Sequence, residues 1–220
     1  MSSRRKNFYG YNVQKRKGKL LREEDIINAA EKVFTAMGYN GASMEEIAKE
    51  AQFTRKTIYQ YFADKDDLYY AVIARGFSGL LSYFQEDIQD GHNGFEKLQR
   101  LMSAYYRFYR DFPSTFNLMT YVGYIKSNKE ITIKQQEFNK ITELLPKEVA
   151  KVIEEGKADG SIRTDIDTMS ATYSAEFLTT GFFHMLSVSG KTFTNHFSLD
   201  QENFVLFNMN LLCDAFRSQK

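Results

Sequence analysis

Between residues 23 and 65 the sequence shows one stretch with the apolar period of a helix, followed by two N-terminal helix caps. These signals are so close together that only short helices fit between them. From Glu23 to Met37, apolar residues recur at steps of three and four, which is the spacing of one helix face. Gly38 follows the last of them, and glycine readily takes the left-handed backbone conformation that ends a helix. A first helix is therefore predicted over residues 23–37.

Two side-chain caps mark the helices that follow. Ser43 and Glu46 form the pattern of a capping box, in which each side chain accepts a hydrogen bond from the other residue's backbone N–H. Thr54 is a good N-cap for a third helix, which is predicted over residues 55–62. The two residues before Thr54 leave only a tight turn, so the second and third helices are predicted to form a helix-turn-helix.

The rest of the chain also shows the period of helices, and no stretch has the pattern of paired strands. Pro146 predicts a kink or a break in the helix that contains it. Helices are predicted over residues 65–89, 95–112, 114–127, 130–158, 167–188 and 200–217, with a polar loop over 189–199. The predicted fold class is all-α.

Positive charge is concentrated at the N-terminus, although the net charge of the chain is only +1. The first 22 residues contain eight basic side chains and no acidic one. This segment is predicted to be a flexible basic arm, and a basic end on a mildly acidic body suits a polyanionic partner. A merely solubilising tail explains the same charge equally well.

Composition restricts the compartment and the chemistry. Cys213 is the only cysteine, so no internal disulfide is possible and a reducing, cytoplasmic location is predicted. No apolar run approaches the roughly 20 residues that span a bilayer, so we expect no membrane contact. The chain has none of the common nucleotide-binding, hydrolase or zinc-protease motifs, and its histidines, His92, His184 and His196, are scattered. We therefore expect no enzyme activity, no catalytic residue, no cofactor and no metal site.

The predicted third helix has two chemically different faces. Ile58 and Phe62 point inward, whereas the outward face carries hydrogen-bond donors and aromatic rings: Arg55, Lys56, Thr57, Tyr59, Gln60 and Tyr61. Arg and Lys donate to guanine, Gln bonds adenine, and the Thr methyl group packs on the methyl group of thymine. This face predicts contact with double-stranded DNA. The alternative is a solvated surface helix in a protein that binds no DNA.

Four runs in this region resemble the N-terminal signature of the TetR (tetracycline-repressor type) family of bacterial regulators. They are Ile27–Tyr39, Ala42–Ala48, Thr54–Phe62 and Lys65–Leu68. The resemblance implies an all-α homodimer, in which a fourth helix joins a three-helix DNA-binding domain to a ligand-sensing body. It implies base-edge roles for Arg55, Lys56, Thr57 and Gln60, and phosphate roles for Ser43, Thr54, Tyr59, Tyr61 and Lys65.

The resemblance has one visible departure and sets the domain limits. The family's turn usually carries a glycine, whereas this chain has Gln52, which would pay roughly 1 kcal/mol for a positive φ. The predicted domains are the arm over residues 1–22, the DNA-binding domain over 23–65 and the ligand-sensing and dimerisation domain over 66–220. The arm is long enough to reach a neighbouring minor groove of DNA.

The last two helices are predicted to form the dimer interface, as the resemblance implies. The loop from Gly160 to Asp165 looks like the one that precedes the penultimate helix in the family. The final helix has an apolar face made of Phe204, Phe207, Leu211, Leu212 and Ala215. Two such helices from each subunit would make a four-helix bundle. The alternative is that this face packs inside one subunit.

Dense aromatic residues in the body predict a cavity for a bulky hydrophobic or aromatic molecule rather than a sugar or a metal ion. The candidate ligand-binding residues are Phe84, Tyr105, Tyr109, Phe112, Tyr121, Phe177, Thr180 and His184. The function predicted is a repressor that leaves its operator when this ligand moves the fourth helix. The alternatives are a transcriptional activator and a helical protein–protein interaction module that is not released from DNA by a ligand.

Overall fold

The computed structural model describes residues 3–120 and 130–219, with side chains from residue 18 onward. The helices of this part are α1 (Ser3–Gly41), α2 (Met44–Glu50), α3 (Arg55–Ile58), α4 (Lys65–Asp87), α5 (Gly94–Asp111), α6 (Pro113–Met119), α7 (Ile133–Asp159), α8 (Thr168–His196) and α9 (Gln201–Asp214). A 3₁₀ turn follows α4 at Ile88–Asp90. Across these residues the only strand-like pairing is an isolated bridge between Ile162 and Arg217, so the all-α prediction is confirmed.

The chain divides into two compact units. The first unit consists of Met1–Ile73 and Ser127–Gln136, and the second consists of Ala74–Lys126 and Glu137–Lys220. Helix α4 contributes its first residues to the first unit and its remainder to the second. No helix that the structure describes is both long enough and apolar enough to cross a bilayer.

The first unit is held together by a core from α1, α2, α3 and the start of α4. Its fully buried side chains include Ile26, Phe34, Ile47, Ile58, Phe62, Leu68 and Tyr69. The rings of Phe34 and Tyr39 both meet the ring of Tyr69, with centroids 4.8 and 5.0 Å apart. These edge-to-face contacts fix the end of α1 against α4, so the short α2 and α3 rest on a rigid base.

The second unit is built around the strongly amphipathic α5. Gly94, at its first residue, lies so close to α7 that a Cβ there would sit 2.1 Å from the nitrogen of Gly156. The backbone N–H of Gly94 also donates to Asp159 at 2.7 Å. The core is formed by the buried face of α5 together with residues of α4, α7, α8 and α9, including Leu98, Leu101, Phe108, Val152, Ile153, Phe183, Val205 and Met209.

Helix α1 begins far earlier than predicted, at Ser3 instead of Glu23. The predicted start is wrong because it required an apolar face. Adding residues to an existing helix needs no such face, and Lys, Arg and Gln are good helix formers. At the other end, Gly38 has the expected positive φ of 69°, but its ψ of 169° is extended rather than left-handed helical.

Helix α8 is also longer than predicted, because residues 189–196 continue it instead of forming a loop. Gly190 and Thr194 lie on its buried face, and the Thr194 hydroxyl donates to the Gly190 carbonyl at 2.9 Å. The polar composition therefore misled the prediction, since this hydroxyl is satisfied within the helix. Helix α7 likewise runs unbroken through Pro146, where a kink or a break was predicted.

Candidate DNA-binding surface and ligand cavity

The capping box predicted for α2 is present. The backbone N–H of Ser43 donates to Glu46 Oε2 at 2.9 Å, and the N–H of Glu46 donates to Ser43 Oγ at 3.2 Å. Met44, Ile47 and Ala48 bury the inner face of the helix. The box fixes where α2 starts and leaves Ser43 exposed beside its N-terminus.

The turn between α2 and α3 has the strained geometry predicted for it. Gln52 has a φ of 56°, in the left-handed region that glycine usually occupies. The next helix is capped by Thr54, whose Oγ1 accepts the backbone N–H of Thr57 at 3.1 Å. The two threonine hydroxyls also lie 2.9 Å apart and share a hydrogen bond.

Helix α3 presents the two faces predicted from its sequence. Ile58 and Phe62 are buried, whereas Arg55, Lys56, Tyr59 and Gln60 are exposed. The helix is shorter than predicted: it ends at Ile58, and the N–H groups of Gln60 and Tyr61 donate to carbonyls three residues back, as in a 3₁₀ turn. Thr57 and Tyr61 are half-buried.

The two cations at the start of α3 are available to an external partner. Over residues 18–120 and 130–219, no ion pair engages Arg55 or Lys56. Both side chains are exposed, and no acidic residue stands between them and Tyr61. The surface therefore offers uncompensated positive charge and hydrogen-bond donors, which is the combination that DNA phosphates and base edges accept.

Lys65 is engaged within the protein. Its ammonium donates to the carbonyls of Tyr39 at 2.8 Å and Ala42 at 3.0 Å, and lies over the Tyr39 ring. The Tyr39 hydroxyl donates to Asp66. Since an ammonium group has three donors, the two carbonyls do not use all of them. Sequence reasoning missed this positioning role, because the two carbonyls are distant from Lys65 in the chain.

A basic residue of the N-terminal arm lies beside the turn that follows α3. The ammonium of Lys19 is 5.8 Å from the centroid of the Tyr61 ring. Lys19 is exposed, so it adds positive charge next to the α3 surface. The charge of the arm was visible in the sequence, but no sequence signal indicated this neighbour.

The second unit contains a small apolar cavity of about 50 Å³. Three of the predicted ligand-binding residues, Phe84, Tyr105 and Thr180, line this cavity together. Its other walls come from α4, α5, α7 and α8, through Phe77, Leu80, Met102, Leu145, Pro146, Val149, Ala175, Glu176 and Thr179. The α7 residues and Glu176 were missed, because the sequence does not show which helix faces meet.

The polar groups of this cavity are few. The hydroxyls of Tyr105 and Thr180 share a hydrogen bond of 2.9 Å. Burial raises the pKa of the Tyr105 phenol, with the nearby Glu176 carboxylate adding to the rise. Glu176 is an exposed residue at the cavity lining, and partial desolvation of its carboxyl still raises the pKa of that group. In the described residues no His, Cys, Asp and Glu cluster has the arrangement of a metal site.

The remaining nominated ligand residues lie elsewhere. Tyr109 packs in the core against Phe116 and Phe183, with ring centroids 5.2 and 5.0 Å away. Phe112 is an exposed residue that contacts Tyr83 and Phe108.

Two further nominated residues, Phe177 and His184, line a surface groove of about 460 Å³ along α8, which Thr180 also touches. Tyr121 lies outside the described residues. Of the eight residues predicted to bind a ligand, the structure therefore places three in the lining of the small apolar cavity.

The outward faces of α8 and α9 expose many apolar side chains. Phe177 is 85% exposed, and Phe207, on the predicted interface face, is 65% exposed. The other large exposed apolar residues of these helices are Met169, Tyr173, Leu178, Met185, Val188, Phe193, Leu206 and Leu211. The inner face of α9 is formed instead by Val205, Met209 and Cys213. Contiguous exposed apolar side chains of this kind mark an interaction surface.

Residues 26–72 match the profile of the family described as bacterial regulatory proteins, tetR family. Over these residues the chain carries the DNA-binding region of this family. Members of the family are transcription regulators, which are generally not enzymes. The match covers α2 and α3 completely, together with the parts of α1 and α4 that pack against them.

Two characterised regulators are similar to this chain in sequence. The HTH-type transcriptional activator FasR of Mycolicibacterium smegmatis is 31% identical over 87 residues, which are 40% of each chain. The fatty acid metabolism regulator protein of Bacillus subtilis is 26% identical over 146 residues, which are 66% of this chain and 73% of that protein. The FasR alignment thus spans well under half of that relative's length.

Solved structures of the same family share the fold over nearly their whole length. The fatty acid degradation regulator FadR from Bacillus halodurans superposes with a TM-score of 0.68 at 21% identity, over 88% of this chain and 99% of that one. FadR from Bacillus subtilis, in complex with stearoyl-CoA, gives a TM-score of 0.66 at 20% identity, over 86% and 97%. At these identities the likeness concerns the fold.

Proposed function

We propose that this protein is a homodimeric repressor, released from a palindromic operator when an apolar small molecule enters the cavity of its second unit. The observation that carries the proposal is the α3 surface, where exposed Arg55 and Lys56 stand without an ion pair in the described part of the chain. Base-edge contacts by Arg55, Lys56, Thr57 and Gln60 supply specificity. Phosphate contacts by Ser43, Thr54, Tyr59, Tyr61 and Lys65 supply position and much of the affinity.

Release follows from the placement of α4. Its first turns, including Leu68 and Tyr69, belong to the core of the first unit, and its later residues Phe77, Leu80 and Phe84 line the cavity. A ligand that displaces these later residues therefore acts on the helix that holds α2 and α3. Two recognition helices fit successive major grooves only when they are about 34–36 Å apart, so a small change in spacing lowers operator affinity.

Activation is the second candidate, and one finding favours it. The relative FasR is named a transcriptional activator, although only 87 residues align with it. The same DNA-binding surface serves both outcomes, because the sign of regulation depends on where the operator lies relative to the promoter. In vitro transcription from the selected operator distinguishes them.

The test of DNA binding is selection of genomic fragments by the purified protein at a stated salt concentration, followed by titration of the enriched site. We expect a short palindrome. The double variant Arg55→Ala and Lys56→Ala is expected to lose at least about 30-fold in affinity, since each good base contact is worth roughly 1–3 kcal/mol. Helix content and thermal unfolding should not change.

A matched control removes two exposed cations from α7, with Lys140→Ala and Lys147→Ala. This variant should bind the operator as the wild type does, because α7 carries no base-reading residue in the proposal. Equal affinity of the α3 variant and the wild type would contradict the assignment of the surface.

A further inference from the structure

The polar lining of the cavity is acidic and rich in hydrogen-bond acceptors. Among the described residues of the lining, the ionisable groups are the Glu176 carboxyl and the Tyr105 phenol, and none is Lys, Arg or His. The Thr179 hydroxyl is already used, since it donates to the Met102 sulfur at 3.5 Å. In the described lining, the other polar side chains that a ligand can meet are those of Tyr105, Thr180 and Glu176.

These polar groups can accept more hydrogen bonds than they can donate. Tyr105 and Thr180 share one bond of 2.9 Å, so one of the two hydroxyl protons is already spent. The ionised Glu176 carboxylate only accepts hydrogen bonds. One hydroxyl proton is thus left to donate, whereas the two hydroxyl oxygens and the two carboxylate oxygens can all accept. The site therefore has more hydrogen-bond acceptors than donors.

The charge of the lining points the same way. Desolvation raises the pKa of Glu176, and no Lys, Arg or His stands beside it among the described residues that line the cavity. A second carboxylate or a phosphate brought beside it would be repelled and would find almost no donor. An ammonium group would supply the missing positive charge and up to three donors.

We propose that the cavity binds an apolar amine, whose ammonium end is held by the Glu176 carboxylate and the Tyr105–Thr180 hydroxyl pair. The aromatic and aliphatic walls from Phe77, Phe84 and Leu145 take the apolar body. The inference rests on the ligand-sensing role proposed for this cavity. It separates this chain from a relative of the same fold whose structure holds stearoyl-CoA.

The test compares decylamine, decanol and decanoate, which share one alkyl chain, by isothermal titration calorimetry on the full-length protein. We expect decylamine to bind at least about tenfold more tightly than decanoate, with decanol between them, since a charge-assisted hydrogen bond is worth roughly 1.5–3 kcal/mol. Decanoate or decanol binding as tightly as decylamine would overturn the proposal.

Two variants locate the effect. Glu176→Gln keeps the size of the side chain, and we expect it to abolish the preference for decylamine over decanol. Glu143→Gln removes an exposed carboxylate from α7 and should leave the preference unchanged. If Glu176→Gln retained the wild-type preference, the ammonium would be bound elsewhere and the assignment would be wrong.

Operator release is measured separately, by fluorescence anisotropy of labelled operator with decylamine or stearoyl-CoA. Release by stearoyl-CoA alone would leave the proposed regulatory function intact and refute the amine assignment. Tight binding of decylamine by calorimetry without release by any ligand would do the opposite, supporting the site and refuting its regulatory role.

Discussion

Single residues decide how the helix-turn-helix is held in shape. Gln52 has a φ of 56°, which costs a side chain with a Cβ about 1 kcal/mol. Lys65 ties the carbonyls of Tyr39 and Ala42 to the start of α4. The strained turn and the hydrogen bonds of Lys65 both belong to the first unit. Single substitutions at these positions should therefore change the stability of that unit.

Gln52→Gly should stabilise the protein. Glycine relieves the positive-φ strain, but it also gives the unfolded chain more freedom, which returns part of the gain. We expect the melting temperature to rise by about 1–2 °C. Gln52→Ala is the control, because alanine keeps the Cβ, and it should give no rise. A lower melting temperature for Gln52→Gly would show that this turn is unstrained.

Glu176 should make stability depend on pH. Burial raises the pKa of its carboxyl above the ordinary 4.5, so the folded protein binds this proton more tightly than the unfolded chain. The free energy of unfolding therefore falls as pH rises from about 4.5 through the raised pKa, and it stays lowered above that pH.

The measurement is the melting temperature of the wild type and of Glu176→Gln between pH 4 and pH 8. The variant should melt at a higher temperature than the wild type at neutral pH, by at most about 1 °C because solvent screens the charge of this exposed side chain, and the gain should vanish near pH 4. Glu143→Gln, whose carboxylate pairs with Lys147 at the surface, should show no such gain. A gain for Glu176→Gln that is the same at every pH would contradict the ionisation argument.

At the scale of single residues, the features that could be predicted are those that depend on neighbours in the sequence. The caps at Ser43 and Thr54 and the positive φ of Gln52 were predicted correctly, because each depends on residues at most three positions away. The hydrogen bonds of Lys65 and the position of Glu176 were missed. Both depend on helices that meet only after folding, and sequence period alone does not specify how those helices are paired.

At the scale of helices, the apolar period predicted the buried faces of the helices well, but it predicted the ends of the helices poorly. Polar stretches were read as an arm before Glu23 and as a loop after Val188, yet both are helical. In α8 the Thr194 hydroxyl bonds its own helix, which removes the reason to leave the helical conformation. Propagation of an existing helix is cheap, so a polar sequence without proline does not stop it.

The wall that α7 contributes to the cavity contains the weakest point of that helix. Pro146 has no N–H, so the carbonyl of Thr142 lacks its intrahelical hydrogen bond. Pro146→Ala restores the donor and should slow hydrogen exchange of the amides around it. It should also raise the melting temperature, since proline costs about 3 kcal/mol relative to alanine inside a helix.

Lys147→Ala is the control for this substitution, because it changes the adjacent exposed residue without adding a backbone donor. It should leave the exchange rates of α7 within experimental error. Exchange in Pro146→Ala as fast as in the wild type would show that the missing bond does not loosen the helix.

For the whole molecule, the decisive feature is the apolar outward face of α8 and α9. Phe177 and Phe207 are more exposed than an isolated subunit in water would favour. The sequence indicated the α9 part of this face, but it did not show that α8 is equally apolar on its outer side. We expect this face to pair with its copy in a second subunit.

The double variant Phe177→Asp and Phe207→Asp should therefore be monomeric in sedimentation equilibrium and should bind the operator far more weakly, since two half-sites can no longer be engaged together. Leu144→Asp is the control, because Leu144 is an exposed apolar residue of α7. It should remain dimeric. A wild-type protein that sediments as a monomer, or a double variant that stays dimeric, would contradict the interface.

The cavity of about 50 Å³ is far smaller than the roughly 300–1,000 Å³ of usual ligand pockets, so a ligand of ten carbons must capture a rarer, opened form. The apparent dissociation constant then equals the intrinsic one divided by the fraction of molecules that are open. The dose at which the regulator responds is consequently set by two separable quantities, and only one of them involves atoms that touch the ligand. Substitutions in the packing of α7 can shift this dose threshold over a wide range without any change in what is recognised, so sensitivity and selectivity can evolve independently.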